Sequence, residues 1–163
     1  MSEIDRYIAA VIERAGHEAR DDGSAAMEAH HLLLAIAAAD DPTTRPVLAE
    51  AGLNREAIRD ALDREFERSL AAAGAKDAAG ATVPGATTSR NVAPPPPGAS
   101  FKLALERGFR LVDRKRDLRP AHLLLGIVQA EVGTVPRALA LAGVDPAGLA
   151  ERIRRSVAVR DGD

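Results

Sequence analysis

Four histidines and a few serines are the side chains through which this 163-residue chain could do chemistry. His31 and His122 each stand directly before a Leu-Leu-Leu run. A histidine so placed is either a ligand or acid–base group, or a side chain hydrogen-bonded to a helix terminus. Its repetition, with no acidic partner repeated beside it, favours the structural role. His30 has no counterpart and, lying next in sequence, is expected to point away from His31 as a surface group. Glu13 and His17 are four apart and Glu28 and His31 three apart, so each pair can share a helix face. Glu-x-x-His is half of a di-iron carboxylate site, which needs a second such pair and two further Glu residues. Arg119 stands where Glu28 would recur, so no metal ion is expected. Ser2, Ser24, Ser69, Ser89, Ser100 and Ser156 fall mostly near termini or in low-complexity sequence, and none sits in a Gly-x-Ser-x-Gly elbow. Without cysteine there is no thiol nucleophile, disulfide framework or Cys-rich metal site. No Gly-x-x-x-x-Gly-Lys-Ser/Thr loop is present to cradle phosphates. The chain is expected to have no catalytic residue and no cofactor.

The elements that carry these residues occur twice. AHHLLLAIAAADDPTTRPVLAEAGLNREAIRDALDRE starts at Ala29 and PAHLLLGIVQAEVGTVPRALALAGVDPAGLAERIRRS at Pro120. At a constant offset, His31 pairs with His122, Ile36 with Ile127, Leu48 with Leu139 and Ala51-Gly52 with Ala142-Gly143. Upstream, Ala15 finds Gly108 once a slightly shorter connection is allowed. Each copy reads as four helices: an amphipathic first helix (Ile4, Ile8, Val11, Ile12, Ala15, Ala19), then an apolar central helix. A short third helix starting at Asp41-Pro42 ends at Gly52, and a fourth is capped by Asn54 with Ile58, Leu62 and Phe66 on one face. In the second copy Pro120 opens the central helix, Gly143 stops the third, and Asp145 with Pro146 starts the fourth. Strand signals are absent. The fold class is all-α: two tandem four-helix repeats, 1–70 and 100–158, related by pseudo-twofold symmetry. Between them 71–99, rich in Ala, Gly and Pro, reads as a flexible linker ending in a polyproline II piece.

The apolar first helix, the His-Leu-Leu-Leu-Ala/Gly-Ile centre and the Leu-x-x-Ala-Gly-aliphatic-Asn/Asp turn, occurring twice, resemble the Clp amino-terminal repeat domain. That resemblance implies a non-enzymatic, protein-binding module of the kind found at the front of Clp unfoldases. With no ATPase motif in these residues, it implies a free-standing module. Its partners would be a Clp unfoldase, an adaptor or a substrate protein, and its role would be to modulate regulated proteolysis in a bacterial cytoplasm. Some members bind phosphoarginine through a Glu before each central-helix His and a Thr at the start of the first helix. Here those Glu positions hold His30 and Ala121, and the Thr positions fall near Asp5 and Gly98. Neither His30 nor Ala121 offers the carboxylate that grips a guanidinium, so phosphoarginine binding by that route is not expected. Family analogy places the partner groove near the first turns of helices one and two of each repeat, at Asp5, Glu28, His30, Arg119 and Ala121.

Charge and composition narrow the partners. The overall charge of −2 conceals a first segment (1–68) with 8 basic and 15 acidic side chains, and a last segment (101–163) with 12 basic and 8 acidic. Arg107, Arg110, Arg114, Lys115, Arg116 and Arg119 form a basic run interrupted by Asp113 and Asp117. It reads first as a solvated loop, next as a contact for an acidic protein, and last as a DNA surface, since its net charge is modest for phosphate-driven binding. It could also meet the acidic first repeat. A nucleic-acid-associated regulator using 107–119 is the alternative function, though nucleic acid is not favoured; aromatic residues, at 2%, are too scarce for base-stacking platforms. No apolar run approaches a membrane span, no leader peptide is visible, and a cytoplasmic location without membrane contact is expected.

Overall fold

The computed structural model describes residues 1–74 and 93–161, with side chains as far as Val159. Helix α1 (Glu3–Asp21) opens on a reciprocal cap: Ser2 Oγ accepts the Asp5 N–H at 3.3 Å and Asp5 Oδ2 accepts the Ser2 N–H at 3.2 Å. Helix α2 (Ala29–Ala38) follows a turn through Gly23, and α3 is Thr44–Glu50. The third helix starts later than the Asp41-Pro42 expected for it. Pro42 lies in the preceding turn, and Asp41 Oδ2 accepts the N–H groups of Thr43 (3.0 Å) and Thr44 (2.8 Å). Gly52, at φ +74°, then lets the Leu53 N–H turn back to Leu48 O at 2.8 Å. Asn54 caps α4 (Arg55–Ala72), its Oδ1 accepting the Ala57 N–H at 2.8 Å.

The order continues with α5 (Ala99–Arg110), a 3₁₀ turn (Lys115–Asp117), α6 (Pro120–Val128), α7 (Thr134–Leu141) and α8 (Pro146–Asp161). Pro120 occupies the first turn of α6, Gly143 takes φ +76° after α7, and Asp145 Oδ2 accepts the Gly148 N–H at 3.1 Å to open α8. Among the described residues the chain is all-helical, apart from one isolated bridge between Met27 and Pro97. Of the expected linker, 75–92 lie outside the described residues. Residues 96–98 run beside Met27, whose N–H donates to Pro96 O at 2.8 Å and whose carbonyl accepts the Gly98 N–H at 2.7 Å.

Helices α2 and α6 lie at the centre and touch each other; α1 packs on α2, α5 on α6, α4 on α7 and α8 on α6. Leu32 to Ile36 and Leu123 to Val128 are buried without interruption, which is why their sequence shows so little amphipathic contrast. The α5–α6 crossing brings the two backbones together. A Cβ at Gly126 would fall on the backbone of Ala104 and 2.6 Å from the Gly108 nitrogen. At the matching positions of α1 and α2 stand Ala15 and Ala35, both buried. One expectation for α4 fails: Ile58 and Leu62 are buried, but Phe66 is 61% exposed. The buried line runs Ile58, Ala61, Leu62, Glu65, so the inward position one turn beyond Leu62 belongs to Glu65 and Phe66 is rotated outward.

Candidate functional site

A concavity of about 930 Å³ opens between the first two turns of α1, the α2–α3 connection and the segment from the 3₁₀ turn into α6. Its floor is apolar, from Ile4, Tyr7, Leu118, Ala121 and Val157. One wall carries Asp5, Asp40 and Asp41, the other Lys115, Arg116 and Arg119. Lys115 Nζ spans the walls and reaches Asp5 Oδ1 at 2.6 Å. That bond, with the Ser2 cap, holds the Asp5 carboxyl well below the usual carboxylate range. Burial, and after it the charge of Asp41, pushes the Tyr7 phenol up, so it is a neutral hydroxyl beneath the floor.

Three of the five residues expected at a partner site meet here: Asp5, Arg119 and Ala121. Arg119 is exposed, its guanidinium donating to the carbonyls of Arg116 (3.0 Å) and Leu118 (3.3 Å). Glu28 and His30 lie elsewhere. At the start of α2 the space is taken up by the chain itself: Glu28 Oε2 accepts the Ser100 hydroxyl, Ser100 Oγ accepts the Ala29 N–H at 2.9 Å, and the Glu28 carboxylate sits where a Cβ on Gly98 would go. Pro94 packs against Gly16, where an added Cβ would stand 3.0 Å from it.

His30 departs from expectation. Its ring does not point away but lies 4.0 Å from that of His31, centroid to centroid, and is partly buried. Adjacent helical positions are about 100° apart, and two broad rings at the buried N-terminus of α2 close that angle by tilting together. Burial pushes the His30 imidazole down to about 4, so it is neutral at physiological pH. His31 and His122 do cap helices: each Nδ1 accepts the N–H of the residue three before it, Glu28 and Arg119 respectively, at 2.9 Å. An accepting Nδ1 leaves the His31 proton on Nε2, 2.8 Å from Asp22 Oδ2. Asp22, His30 and His31 place potential ligand atoms within 4.8 Å of one another. Both ring nitrogens of His31 are already committed, however, and Asp22 is committed too, its Oδ2 to His31 and its Oδ1 to the Ser24 N–H at 3.0 Å, so the cluster spends its ligand atoms on its own hydrogen bonds. The Glu28-His31 pair is no ligand pair either, because the Glu28 carboxylate turns to Ser100.

The sequence reading passed over the ion pairs that fix these elements. Glu18, 2% exposed, takes Arg55 at 2.8 and 2.9 Å and Arg59 at 3.1 Å. Burial works against its ionised carboxyl, and the two guanidinium groups more than offset it, holding it below its ordinary value. The available signal was Glu18's place on the Val11–Ala15 stripe, a charge on an apolar face. Of the basic run, Arg107 turns inward to the carbonyl of Gly126 and Lys115 binds the first helix, so it is not one continuous cationic strip. Its contact with the acidic first segment is thus observed at Asp5. No described helix is long and apolar enough to cross a membrane.

A family model described as the Clp repeat (R) N-terminal domain matches residues 5–88. No curated protein is similar enough to match.

Proposed function

The chain belongs to the Clp repeat N-terminal domain family, and from that premise we propose that it is a non-enzymatic protein-binding module of a Clp system. In this reading residues 1–70 and 100–158 are two tandem four-helix repeats with pseudo-twofold symmetry. The module binds a substrate, an adaptor or the unfoldase itself and so modulates regulated proteolysis in the cytoplasm. The observation that carries it is the open groove at the first turns of α1 and α6, which gathers Asp5, Arg119 and Ala121 over an apolar floor. A concave, largely apolar surface with polar groups on its walls is the form a peptide-binding site takes. The alternative, a nucleic-acid-associated regulator, has less support, because Arg107 turns inward to the Gly126 carbonyl and Lys115 is already paired with Asp5, which leaves fewer unpaired cations for phosphate.

A reconstituted Clp unfoldase–protease reaction tests this. Purified chain is expected to change the degradation rate of a model substrate, and a chain with Pro42→Trp, which fills the groove from an exposed position, is expected to lose that effect. An unchanged rate at saturating chain, together with no binding to unfoldase, adaptor or substrate, rejects the reading.

A further inference from the structure

We propose that the groove takes an acidic segment of its partner, with apolar side chains on the floor and a carboxylate against Arg116 and Arg119. This rests on the groove being the partner site and adds the chemical class of the partner. The two walls are not equivalent once each charge is followed to its bonds. On the acidic wall, Asp5 is neutralised by Lys115 at 2.6 Å, Asp40 by Arg45 at 3.0 Å, and Asp41 is occupied by the N–H groups that open α3. On the basic wall, Arg116 is exposed with no ionic partner among the described residues, and Arg119 bonds only to neutral carbonyls. Asp113 and Asp117, the acids of the same loop, do not line the groove; Glu3, exposed as the first residue of α1, is the one lining acid left without a partner among the described residues.

Guanidinium groups beside an apolar floor recognise a carboxylate through charge-assisted, forked hydrogen bonds, and such a pair gains strength where the floor excludes water. Lys115 adds a third cation that an incoming carboxylate can share with Asp5. The site therefore favours anionic partners, the opposite of a carboxylate-lined pocket built to hold a guanidinium.

Short fluorescent peptides with one apolar frame, carrying Glu, Gln or Lys at the same positions, test this by anisotropy against the full chain. The Glu peptide is expected to bind about tenfold more tightly than the Gln peptide at low salt, with the difference shrinking as sodium chloride screens it. Arg116→Glu, and Arg116→Glu with Arg119→Glu, are expected to remove the preference and move it toward the Lys peptide. Arg64→Glu, at an exposed position of α4, a helix that contributes no residue to the groove lining, is expected to leave it intact. The single Arg116 variant guards against loss of the α6 cap, and an unchanged unfolding midpoint verifies its fold. Equal binding of Glu and Gln peptides, or a preference that survives Arg116→Glu, overturns the proposal. So does tighter binding of duplex DNA that is lost in the same variants. Pro42→Trp separates the two levels: if Glu and Gln peptides bind the unaltered chain equally and both are lost in Pro42→Trp, the groove stands and its charge selectivity falls. Peptide binding untouched by Pro42→Trp, or no binding by any peptide, removes the groove reading as well.

Discussion

Arg137 Nε lies 2.8 Å from Glu65 Oε1, so a guanidinium on α7 closes over a buried carboxylate on α4 and ties the two halves of the chain together. Ser69 Oγ donates to the same oxygen at 2.6 Å. Arg137 itself is 58% exposed, which places the pair between the buried and surface regimes. Arg137→Ala leaves the carboxylate without its counter-charge and is expected to cost about 1–3 kcal/mol, less than a fully buried pair. Urea unfolding of the variant measures it, and an unchanged midpoint would show the pair to be decorative.

Acid should weaken the fold through the same groups. Burial pushes the carboxyls of Glu18, Asp22 and Glu65 up, but their hydrogen-bonded partners overcome it and all three end below their ordinary values. For a lowered carboxyl the stabilisation is present above the unfolded pKa, about 4, and is lost as pH falls through the folded value. Melting temperature is therefore expected to drop below about pH 4, and Glu65→Gln should make that drop shallower.

His30 acts in a different window. Its folded value, about 4, lies below the ordinary 6.5, so protons bind the unfolded chain first. Its contribution is complete above 6.5 and fades as pH falls toward 4. Replacing His30 with Phe, which keeps the ring contact but cannot charge, is expected to flatten the stability profile between those limits. A profile that keeps its slope would place the titration on another group.

Leu33 and Leu124 occupy equivalent sites in α2 and α6, 1% and 0% exposed. Either residue changed to Ala should cost about 2–5 kcal/mol through the cavity it leaves. Denaturant midpoints of the two variants check whether both central helices belong to one core.

Gly126→Ala is the complementary test of crowding. Its Cβ meets backbone rather than a movable side chain, so α5 and α6 must separate, at a cost of about 1–3 kcal/mol or more. Ala35→Gly at the matching position of α2 makes no such clash and should cost about 2 kcal/mol, from helix propensity and the buried methyl group lost.

Much of this was legible in the chain. Helical periods, the Asn54 and Asp145 caps and the glycines at 52 and 143 each act within a few residues, so their consequences can be read locally. The capping histidines were legible by repetition. Phe66 was misplaced because a stripe of Ile58, Leu62 and Phe66 satisfies helical spacing as well as one of Ile58, Ala61, Leu62 and Glu65; only the position of Arg137 on a distant helix favours the second. His30 was misplaced because adjacency along a helix does not say how far two rings tilt.

The sequence alone determined the helices and their order, because capping, glycine turns and apolar periodicity are short-range effects. It also named Asp5, Arg119 and Ala121 without saying that they face one cavity. Tertiary structure decided that the start of α6 stays open while Ser100 and the segment at 96–98 cover the start of α2, and which charges in the groove remain unspent. Those outcomes depend on where residues far apart in the chain come to rest, and ion pairing between them is set by distance in space, which no local pattern encodes.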